Sequence, residues 1–302
     1  MASYNAYKNG STEEEHITGK ETFDSKYETC KKNNHDKYID INDLSLKRLP
    51  ENYQDSELLY FIMLQADLTG RIEVTNTVVN GELKVIRGTG FVQKIRLGKL
   101  SNCPCPKCKG EYEVYAILTI TTVNHVVGTK DMFSNSTMLL ETSKQSFTIY
   151  GNKIIKTDRD EDSNEDWCAV EFVSHEIDKV KELEITLENL KKKQGKLYKR
   201  YKDDVKLVVI TGYPHGLNKK VSFGELSGDK EILKEVRASQ EWCRYLYNAI
   251  TCPGSSGSPV FILGQPVCGY GYWFGHSHNH SKGSKEDESK QINISSVGVD
   301  KK

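Results

Sequence analysis

The segment TCPGSSGSPVF, residues 251–261, decides how this sequence is interpreted. A nucleophilic serine needs its hydroxyl on a sharp turn, beside backbone N–H groups that can hold a developing oxyanion. Gly254 and Gly257 permit such a tight backbone around Ser256, and the N–H groups of Gly254 and Ser256 can converge. The apolar run at 259–261 predicts a buried strand directly afterwards. The segment therefore predicts a nucleophile loop, with Ser256 as nucleophile and the N–H groups of Gly254 and Ser256 as the oxyanion hole.

Two other interpretations of this segment compete with the first. Runs of serine and glycine usually form flexible loops, although here a strand pattern follows at once. A G-x-S-x-G turn is also typical of α/β-hydrolases, but Ser258 stands where that motif has its second glycine. In those enzymes the serine precedes its acid and its histidine, whereas here it follows both candidates for those roles.

His125 is the best candidate for the general base that a nucleophilic serine requires. It lies near the end of the apolar segment LTITTVNHVVG, and the pattern therefore places it at the end of a strand. A histidine in such a position is also often a packed core residue, and this alternative stays open. Other histidines lie in polar stretches, namely His16, His35, His276, His278 and His280.

Asp166 is the candidate for the acid that orients this base. It directly precedes the strand-like run WCAVEFV, so its carboxylate is expected at the mouth of a sheet. The acidic residues of the loop 158–162 are interpreted as solvated instead. His125, Asp166 and Ser256 thus follow one another along the chain in the order base, acid, nucleophile.

Short alternating or apolar runs bounded by Gly, Asn, Lys or Asp predict a chain rich in β-strands. Residues 53–176 begin with a short amphipathic helix and continue with such runs. The runs resume over 204–302. Residues 1–52 are rich in Lys, Glu, Asp and Asn and hold few aliphatic side chains, which predicts a polar, disordered tail. The sequence therefore predicts a mainly β protein with two β-rich halves.

Residues 177–203, between the two halves, carry the pattern of a charged amphipathic helix. Apolar residues recur there at helical spacing, namely Val180, Leu183, Leu187, Leu190 and Leu197. The pattern predicts a solvated helix that covers one side of the body. A coiled-coil interface with a protein partner is the alternative, although the segment holds few heptads.

Four segments, in this order, resemble the trypsin-like serine peptidase superfamily, in its Deg/HtrA style rather than that of the digestive enzymes. They are GTGFV (88–92), TVNHVV (122–127), ITGYPHGLNKKVSFGEL (210–226) and PGSSGSPVF (253–261). The resemblance covers roughly residues 70–298. It implies a chymotrypsin-like fold of two six-stranded antiparallel β-barrels, the first carrying His125 and Asp166 and the second carrying Ser256.

The same resemblance implies a serine endopeptidase that cleaves polypeptide substrates through an acyl-enzyme intermediate, without a cofactor for catalysis. With so long a tail ahead of the first barrel, the oxyanion hole is expected to be formed constitutively, or by a partner, and not by residues 1–50. Cys168 and Ala169 depart from the smoother aliphatic run that the family has after its acid. Two alternatives belong to other classes: a catalytically silent module that binds a partner, and an esterase that uses the same triad.

The run CPCPKC brings together three thiols that suit a tetrahedral zinc site, namely Cys103, Cys105 and Cys108. In the resembled barrel, the strand ending at His125 and the strand starting at Asp166 are antiparallel, so their distal ends also meet. His175 ends the second of these strands and is the expected fourth ligand, with Cys168 as its rival. Such a site would be structural; loose thiols are the alternative.

The resemblance also implies a primary specificity pocket. Ile250 takes the position at the base of that pocket, which argues against a basic P1 residue. One wall would come from a bulky apolar group that favours a small or medium apolar P1 residue, namely Tyr272, Trp273 and Phe274. His276 or His278 could instead favour acidic or amide side chains.

Composition bounds the remaining possibilities. Lys+Arg and Asp+Glu each number 42, so the net charge of zero gives no reason to expect nucleic acid or an anionic membrane as partner. No stretch approaches the ~20 apolar residues that span a bilayer, and the amino terminus shows no secretory signal. A cytoplasmic, reducing location is therefore expected, where the 8 cysteines serve as metal ligands or buried thiols.

Overall fold

Strands form most of the regular structure of the chain. The computed structural model describes residues 11–12, 15–17, 21–32, 34–77, 83–99, 103–105, 107–108, 114–128, 130–157, 166–204, 206–237, 240–265, 276–284, 287–296 and 298–301. The strands are β1 Ser11–Thr12, β2 Glu15–Ile17, β3 Ile39–Asp40, β4 Thr69–Thr77, β5 Leu83–Lys99, β6 Val114–Val123, β7 Ser136–Glu141, β8 Ser146–Thr157, β9 Trp167–Ser174, β10 Leu207–Gly212, β11 Lys220–Glu225, β12 Glu231–Arg237, β13 Gln240–Arg244, β14 Leu246–Tyr247, β15 Pro259–Ile262, β16 His276–Ser284, β17 Asp287–Ser295 and β18 Gly298–Lys301.

Helices are fewer and shorter, with one exception. They are α1 Phe23–Glu28, α2 Ser56–Asp67, α3 Asn124–Val127, α4 Lys130–Phe133 and α5 Ile177–Tyr201. Short 3-10 turns cover His35–Lys37, Ile41–Asp43, Leu46–Arg48, Glu51–Tyr53 and Pro214–Gly216. In the part of the chain that the structure describes, no helix combines the length and the apolar character that crossing a membrane requires.

Strands β4 to β9 form a closed antiparallel barrel. The strand order β5-β4-β7-β8-β9-β6 is completed by pairing between β5 and β6, and β2 adds to the outside edge of β5. The interior is apolar, and its side chains include fully buried Ile72, Val92, Leu118, Met138 and Phe172. Closure thus pairs the two end strands of this sheet, β5 and β6, with each other. This barrel is the first of the two that the resemblance implies.

The second β unit is a half-barrel sheet that stays open in the described residues, so of the two expected barrels a closed one is shown for the first half. Its sheet has the order β14-β17-β16-β15-β10-β11-β3. The ends of this sheet approach each other at the isolated bridge between Leu226 and Tyr247. Strand β14 spans only Leu246–Tyr247 before the chain turns into the nucleophile loop, so one bridge replaces a paired strand. A separate sheet has the order β12-β13-β18.

The amino-terminal segment differs from the disordered tail that its composition predicts. Helix α1 begins with a capping box between Thr22 and Ser25. Its first residue, Phe23, is buried beneath the guanidinium of Arg87, which lies 3.8 Å from the ring centroid. Farther along, β3 pairs with the start of β11. A few apolar anchors and strand pairings thus hold a segment that is polar on average.

Helices α2 and α5 pack against each other between the barrel and the open sheet. Helix α5 buries the apolar residues whose spacing the sequence shows, namely Val180, Leu183, Leu187, Leu190 and Leu197. On α2, the ring of Phe61 contacts that of Phe261 in β15, with centroids 4.2 Å apart. The apolar face of α5 that would serve a coiled-coil partner therefore packs against the same chain.

Candidate active site

His125 and Asp166 are in direct contact at one end of the barrel. The register of β6 and β9 pairs Val123 with Trp167, so the residues that follow β6 meet the residue that precedes β9. His125 Nδ1 and a carboxylate oxygen of Asp166 form a hydrogen bond, and the other oxygen accepts the backbone N–H of His125 at 3.1 Å. Regular strand pairing thus fixes the imidazole and its partner.

The carboxylate of Asp166 is held on an unusual backbone. Its φ is 39°, in the left-handed region that most residues avoid. Its carbonyl accepts the N–H of Asn124 at 2.9 Å, which ties the loop end to the start of α3. Both side chains are mostly shielded, with 15% of His125 and 21% of Asp166 exposed. A carboxylate at Nδ1 sets the tautomer that leaves Nε2 to act as a base.

The nucleophile loop turns on two glycines in the left-handed region. Gly254 has φ +91° and Gly257 has φ +87°. A Cβ at Gly254 would lie 2.5 Å from the carbonyl oxygen of Tyr213, and one at Gly257 would lie 2.0 Å from that of Thr89. Both positions therefore need glycine for space as well as for conformation.

Thr89 joins this loop to the barrel. Its backbone N–H donates to the carbonyl of Ser256 at 2.8 Å, and its hydroxyl donates to the carbonyl of Gly254 at 2.9 Å. Its own carbonyl accepts the hydroxyl of Thr122 at 2.8 Å, three residues before His125. The motif GTGFV contains Thr89 but does not predict this role, because a buried threonine on a strand carries no local signal of hydrogen bonds to a distant loop.

The N–H groups of Gly254 and Ser256 donate no hydrogen bond to any other residue that the structure describes. They flank a sharp turn whose carbonyls at Cys252 and Ser255 accept the N–H groups of Ser255 and Ser258, at 2.9 Å each. Two unused donors on one turn are what a developing oxyanion requires.

The hydroxyl of Ser256 is not bonded to His125 in this structure. Its acceptor among the described residues is the carbonyl of Asn279 in β16, at 3.4 Å, and the side chain is fully buried. The hydroxyl is therefore closed off from solvent in this structure. Catalytic hydrogen bonds are often long or misaligned without substrate.

The predicted pocket residues lie partly outside the described residues. Tyr272, Trp273 and Phe274 belong to 266–275, which the structure does not describe. Ile250 is half-buried, and its carbonyl accepts the hydroxyl of Ser222 at 2.7 Å. Of the residues predicted for the pocket, Ile250, His276 and His278 lie in the described part of the chain.

His278 lies beside the nucleophile loop. Its N–H donates to the carbonyl of Ser258 at 2.7 Å, and its carbonyl accepts the N–H of Gly257 at 2.8 Å. The ring is buried, and its Nδ1 lies 2.6 Å from the hydroxyl of Tyr247. His276 is also buried, with Nδ1 3.1 Å from the carbonyl of Ser296.

Three of the four predicted zinc ligands meet at the opposite end of the barrel. The ligand atoms of Cys103, Cys108 and His175, here called the barrel cluster, lie within 4.8 Å of one another, with Cys103 Sγ 3.1 Å from His175 Nε2. The thiol of Cys105 is not in this group and accepts the N–H of Lys107 at 3.4 Å. Burial raises the pKa of the Cys103 thiol and lowers the pKa of His175. The rival, Cys168, pairs at the catalytic end of β9.

A second cluster, which no sequence motif predicts, lies next to the nucleophile loop. Cys30, His35, His215 and Cys252, here called the four-ligand cluster, place their ligand atoms within 4.8 Å of one another. The pKa of the Cys30 thiol is lowered to about 3, first by its hydrogen bond with Cys252 and also by His215, against the effect of burial. The short spacing from Cys30 to His35 is a signal of such a site in the sequence. It lies in the segment that was predicted to be disordered, where no ligand cluster is expected.

No protein-family model matches the sequence, and no curated protein matches it either. Solved structures similar to the chain include Deg5, at a TM-score of 0.40 and 15% identity, covering 71% of this chain and 82% of that one. AlgW, an HtrA-type protease in a structure with a decapeptide, is similar at a TM-score of 0.42 and 10% identity, covering 80% of this chain and 63% of that one. The inactive form of the Rv3671c protease of M. tuberculosis is similar at a TM-score of 0.39 and 15% identity, covering 80% of this chain and 90% of that one.

These structures are HtrA/Deg-type trypsin-like serine proteases, the class that the sequence motifs resemble. The chain spans less than two thirds of the AlgW chain. At these identities and TM-scores, the similarity carries no argument about activity. Any functional conclusion therefore rests on the geometry of the site.

Proposed function

We propose that this protein is a serine endopeptidase with His125, Asp166 and Ser256 as its catalytic triad. The observation that carries the proposal is the contact between His125 and Asp166 beside a loop that turns on two glycines and carries Ser256. A contact between His125 and Asp166 that served only the stability of the barrel would not need a neighbouring loop with unused N–H donors. Together these features are what acyl transfer from a peptide requires.

In the proposed reaction, Nε2 of His125 takes the proton of Ser256 as its oxygen attacks the scissile carbonyl. The carboxylate of Asp166 stabilises the imidazolium that forms. The N–H groups of Gly254 and Ser256 hold the oxyanion, and His125 then returns its proton to the leaving amine. Water then attacks the carbonyl carbon of the acyl-enzyme while His125 takes a proton from it. His125 gives this proton to the oxygen of Ser256, which leaves as a hydroxyl and releases the carboxyl product.

A catalytically silent binding module is the second candidate, and a specific observation favours it. Ser256 is fully buried, and its hydroxyl donates to the carbonyl of Asn279 and not to His125. A protease fold that only bound a partner would not need to expose Ser256 or to bring its hydroxyl to His125. The active enzyme requires a rearrangement that exposes Ser256 and brings its hydroxyl to Nε2.

For the P1 residue, we propose a side chain that accepts a hydrogen bond, such as glutamine or glutamate. When the Tyr247 hydroxyl donates to Nδ1 of His278, the remaining proton of a neutral imidazole lies on Nε2. In the proposed pocket, that N–H would donate to an amide or carboxylate oxygen of the substrate. Ile250, at the predicted base of the pocket, offers no charge that would attract a basic side chain.

For the barrel cluster, we propose structural zinc. Two thiolates and one imidazole at this spacing are soft and borderline ligands of the kind zinc prefers. Cys105 lies in the same short loop, and we propose it as the fourth ligand. The cluster lies at the end of the barrel away from His125, so this zinc would take no part in catalysis.

Labelling by a fluorophosphonate probe tests the proposed nucleophile. We expect the wild-type protein to react and the Ser256→Ala and His125→Ala variants to remain unlabelled. Ser258→Ala is the matched control, because it removes a buried hydroxyl of the same loop and leaves Ser256 in place. A peptide library then tests the P1 preference with the same preparations.

The outcomes separate the candidates. Labelling of wild type and Ser258→Ala alone, together with cleavage after glutamine or glutamate, supports the proposal in full. Labelling with turnover of small esters but of no peptide favours an esterase. A folded wild-type protein that stays unlabelled at high probe concentration overturns the enzyme proposal and favours the binding module.

A further inference from the structure

The four-ligand cluster brings together two cysteines and two histidines from opposite ends of the chain. All four ligand atoms lie within 4.8 Å of one another, and His35 Nε2 is 3.2 Å from Cys252 Sγ. No cysteine that the structure describes forms a disulfide. The thiols are therefore available as ligands.

Two distant segments supply these ligands. Cys30 follows α1, where its N–H donates to the carbonyl of Tyr27 at 3.2 Å, and His35 starts the 3-10 turn His35–Lys37. His215 and Cys252 come from the second β unit and are buried, with 1% and 0% of their surfaces exposed. A ligand bound here would cross-link the amino-terminal segment to the open sheet.

The surrounding chain orients the imidazoles. His215 has φ 56°, a strained conformation for a non-glycine residue, and its N–H donates to the carbonyl of Pro253 at 2.5 Å. The rings of His35 and His215 lie 5.5 Å apart at 81°, and the ring of Tyr27 packs within 5.3 Å of both. Backbone strain at a side chain that converges with three other ligands indicates a functional constraint.

The donor set selects the metal. In a tetrahedral zinc site with two thiolates and two imidazoles, neighbouring ligand atoms are ~3.3–3.8 Å apart, as bond lengths of ~2.0–2.3 Å require. In the cluster, the separation of 3.2 Å between His35 Nε2 and Cys252 Sγ lies close to that range, and all four ligand atoms lie within 4.8 Å of one another. Calcium and magnesium prefer oxygen ligands, and the cluster offers none.

We propose that Cys30, His35, His215 and Cys252 bind a structural zinc ion that anchors the amino-terminal segment to the nucleophile loop. Four protein ligands close the site, so the metal has no open position for catalysis. Cys252 immediately precedes Pro253 and Gly254, whose carbonyls accept the N–H of His215 and the hydroxyl of Thr89. The metal would therefore fix the chain that leads to the oxyanion hole.

Lys32 supports this arrangement from the segment between the two amino-terminal ligands. Its Nζ donates to the carbonyl of Thr251 at 3.1 Å and to the hydroxyl of Ser281 at 3.0 Å. Residue 251 adjoins Cys252. The segment is thus held against the nucleophile loop by contacts on both sides of the cluster.

Zinc content measured on the full-length protein tests the site. The protein is dialysed against metal-free buffer and analysed by elemental mass spectrometry and native mass spectrometry. We expect Cys30→Ser and His35→Ala each to lower the zinc content by about one ion per chain relative to wild type. Both residues are partly exposed on the amino-terminal segment, so the core of the second unit is left unchanged.

Two controls sharpen the result. Cys243→Ala removes a buried cysteine outside both clusters and should keep the wild-type zinc content. Cys108→Ser should lower only the zinc of the barrel cluster, so its loss should add to that of Cys30→Ser in the double variant. Equal zinc content in wild type, Cys30→Ser and His35→Ala would overturn the proposal, as would copper or iron in place of zinc.

Peptide mapping without reductant provides the second criterion. A disulfide between Cys30 and Cys252 in the protein purified under nitrogen would overturn the proposal, because it would remove both thiolate ligands. Unmodified thiols that become reactive only after chelation support it. Neither measurement depends on the reactivity of Ser256, so the zinc site and the proposed peptidase activity succeed or fail separately.

Discussion

The two halves of the candidate site are held in place by different kinds of structure. His125 and Asp166 follow two adjacent strands of a closed barrel, and the register of those strands brings them together. Ser256 lies instead in a loop that leaves the open sheet, between the two-residue strand β14 and β15. Regular pairing fixes His125 and Asp166, whereas contacts from distant segments fix Ser256.

Those distant contacts come from several parts of the chain. Thr89 reaches the loop from the barrel, and His278 pairs with it from β16. The four-ligand cluster reaches it through Cys252 from the amino-terminal segment. The half that carries Ser256 is therefore held by contacts from other segments, among them two hydrogen bonds to His278 of strand β16. It is also the half in which the hydroxyl of Ser256 is bonded away from His125.

The largest expected effect comes from breaking the regular half. Asp166→Asn should lower the rate of the proposed reaction by about 10⁴-fold, because an amide at Nδ1 favours the wrong tautomer of the base. The free energy of unfolding should change little, since an amide of the same shape keeps the hydrogen bond from the His125 N–H. Probe-labelling rates and urea unfolding measure the two quantities. Asp178→Asn, at a fully exposed carboxylate, is the matched control.

This assignment would be contradicted if Asp166→Asn lost much of its free energy of unfolding and if its labelling fell only as far as the loss of folded protein explains. It would mean that Asp166 serves the barrel and not the base. Normal labelling of a folded Asp166→Asn protein would show in addition that the reactive serine does not depend on the pair.

Breaking the loop half should have a mixed effect. Gly257→Ala puts a methyl group 2.0 Å from the carbonyl oxygen of Thr89, at a φ of +87°. We expect the free energy of unfolding to fall by about 1–3 kcal/mol from strain at this position. Labelling of Ser256 should fall at least about tenfold, since each 1.4 kcal/mol of lost positioning corresponds to that factor.

Gly195→Ala is the control for that substitution. A Cβ at Gly195 meets nothing within 4 Å, and the residue lies in the interior of α5. The variant should gain about 0.5–1 kcal/mol of unfolding free energy, because alanine loses less backbone entropy in a helix. Equal effects of the two substitutions would contradict the view that Gly257 holds the loop against the barrel.

The same contrast explains what the sequence could predict. The contact of His125 with Asp166 could be expected from two strand patterns, because each residue adjoins a strand in sequence. The buried face of α5 could be expected for a similar reason, since helical spacing is a local signal. Thr89 could not be assigned as the bridge to the nucleophile loop, because its hydrogen bonds join segments that share no local pattern.

The amino-terminal segment shows the other limit. Its average polarity predicted disorder, but Phe23 and Leu49 are buried, and β3 pairs with β11. Composition averages over a segment, whereas a few anchors suffice to hold it. We expected the oxyanion hole to form without residues 1–50. The four-ligand cluster indicates the opposite, because Cys30 and His35 lie against Cys252, two residues before Gly254.

The smallest effect is expected at the helical pair that lies between the two halves. Asp55 caps α2 by accepting the N–H of Glu57 at 2.8 Å, and it also accepts hydrogen bonds from Arg200 and Tyr201 of α5. Burial alone would raise the pKa of Asp55, but these hydrogen bonds together lower it below its usual value. Asp55→Ala should cost about 1–2 kcal/mol of unfolding free energy, mainly through the lost cap.

Asp55→Asn separates the charge of this residue from its capping role. Asparagine keeps the cap, so the loss of stability at neutral pH should be smaller than in Asp55→Ala. Because the pKa of Asp55 is lower in the folded protein, its charge stabilises the fold above the unfolded pKa of about 3.9. That contribution disappears as the pH falls through the folded pKa. The stability difference between wild type and Asp55→Asn should therefore shrink in acid, as urea unfolding across this pH range would measure. A difference that stays constant down to the lowest pH would mean that the carboxylate contributes through its shape, and that the helical pair joins the two halves of the site without help from this charge.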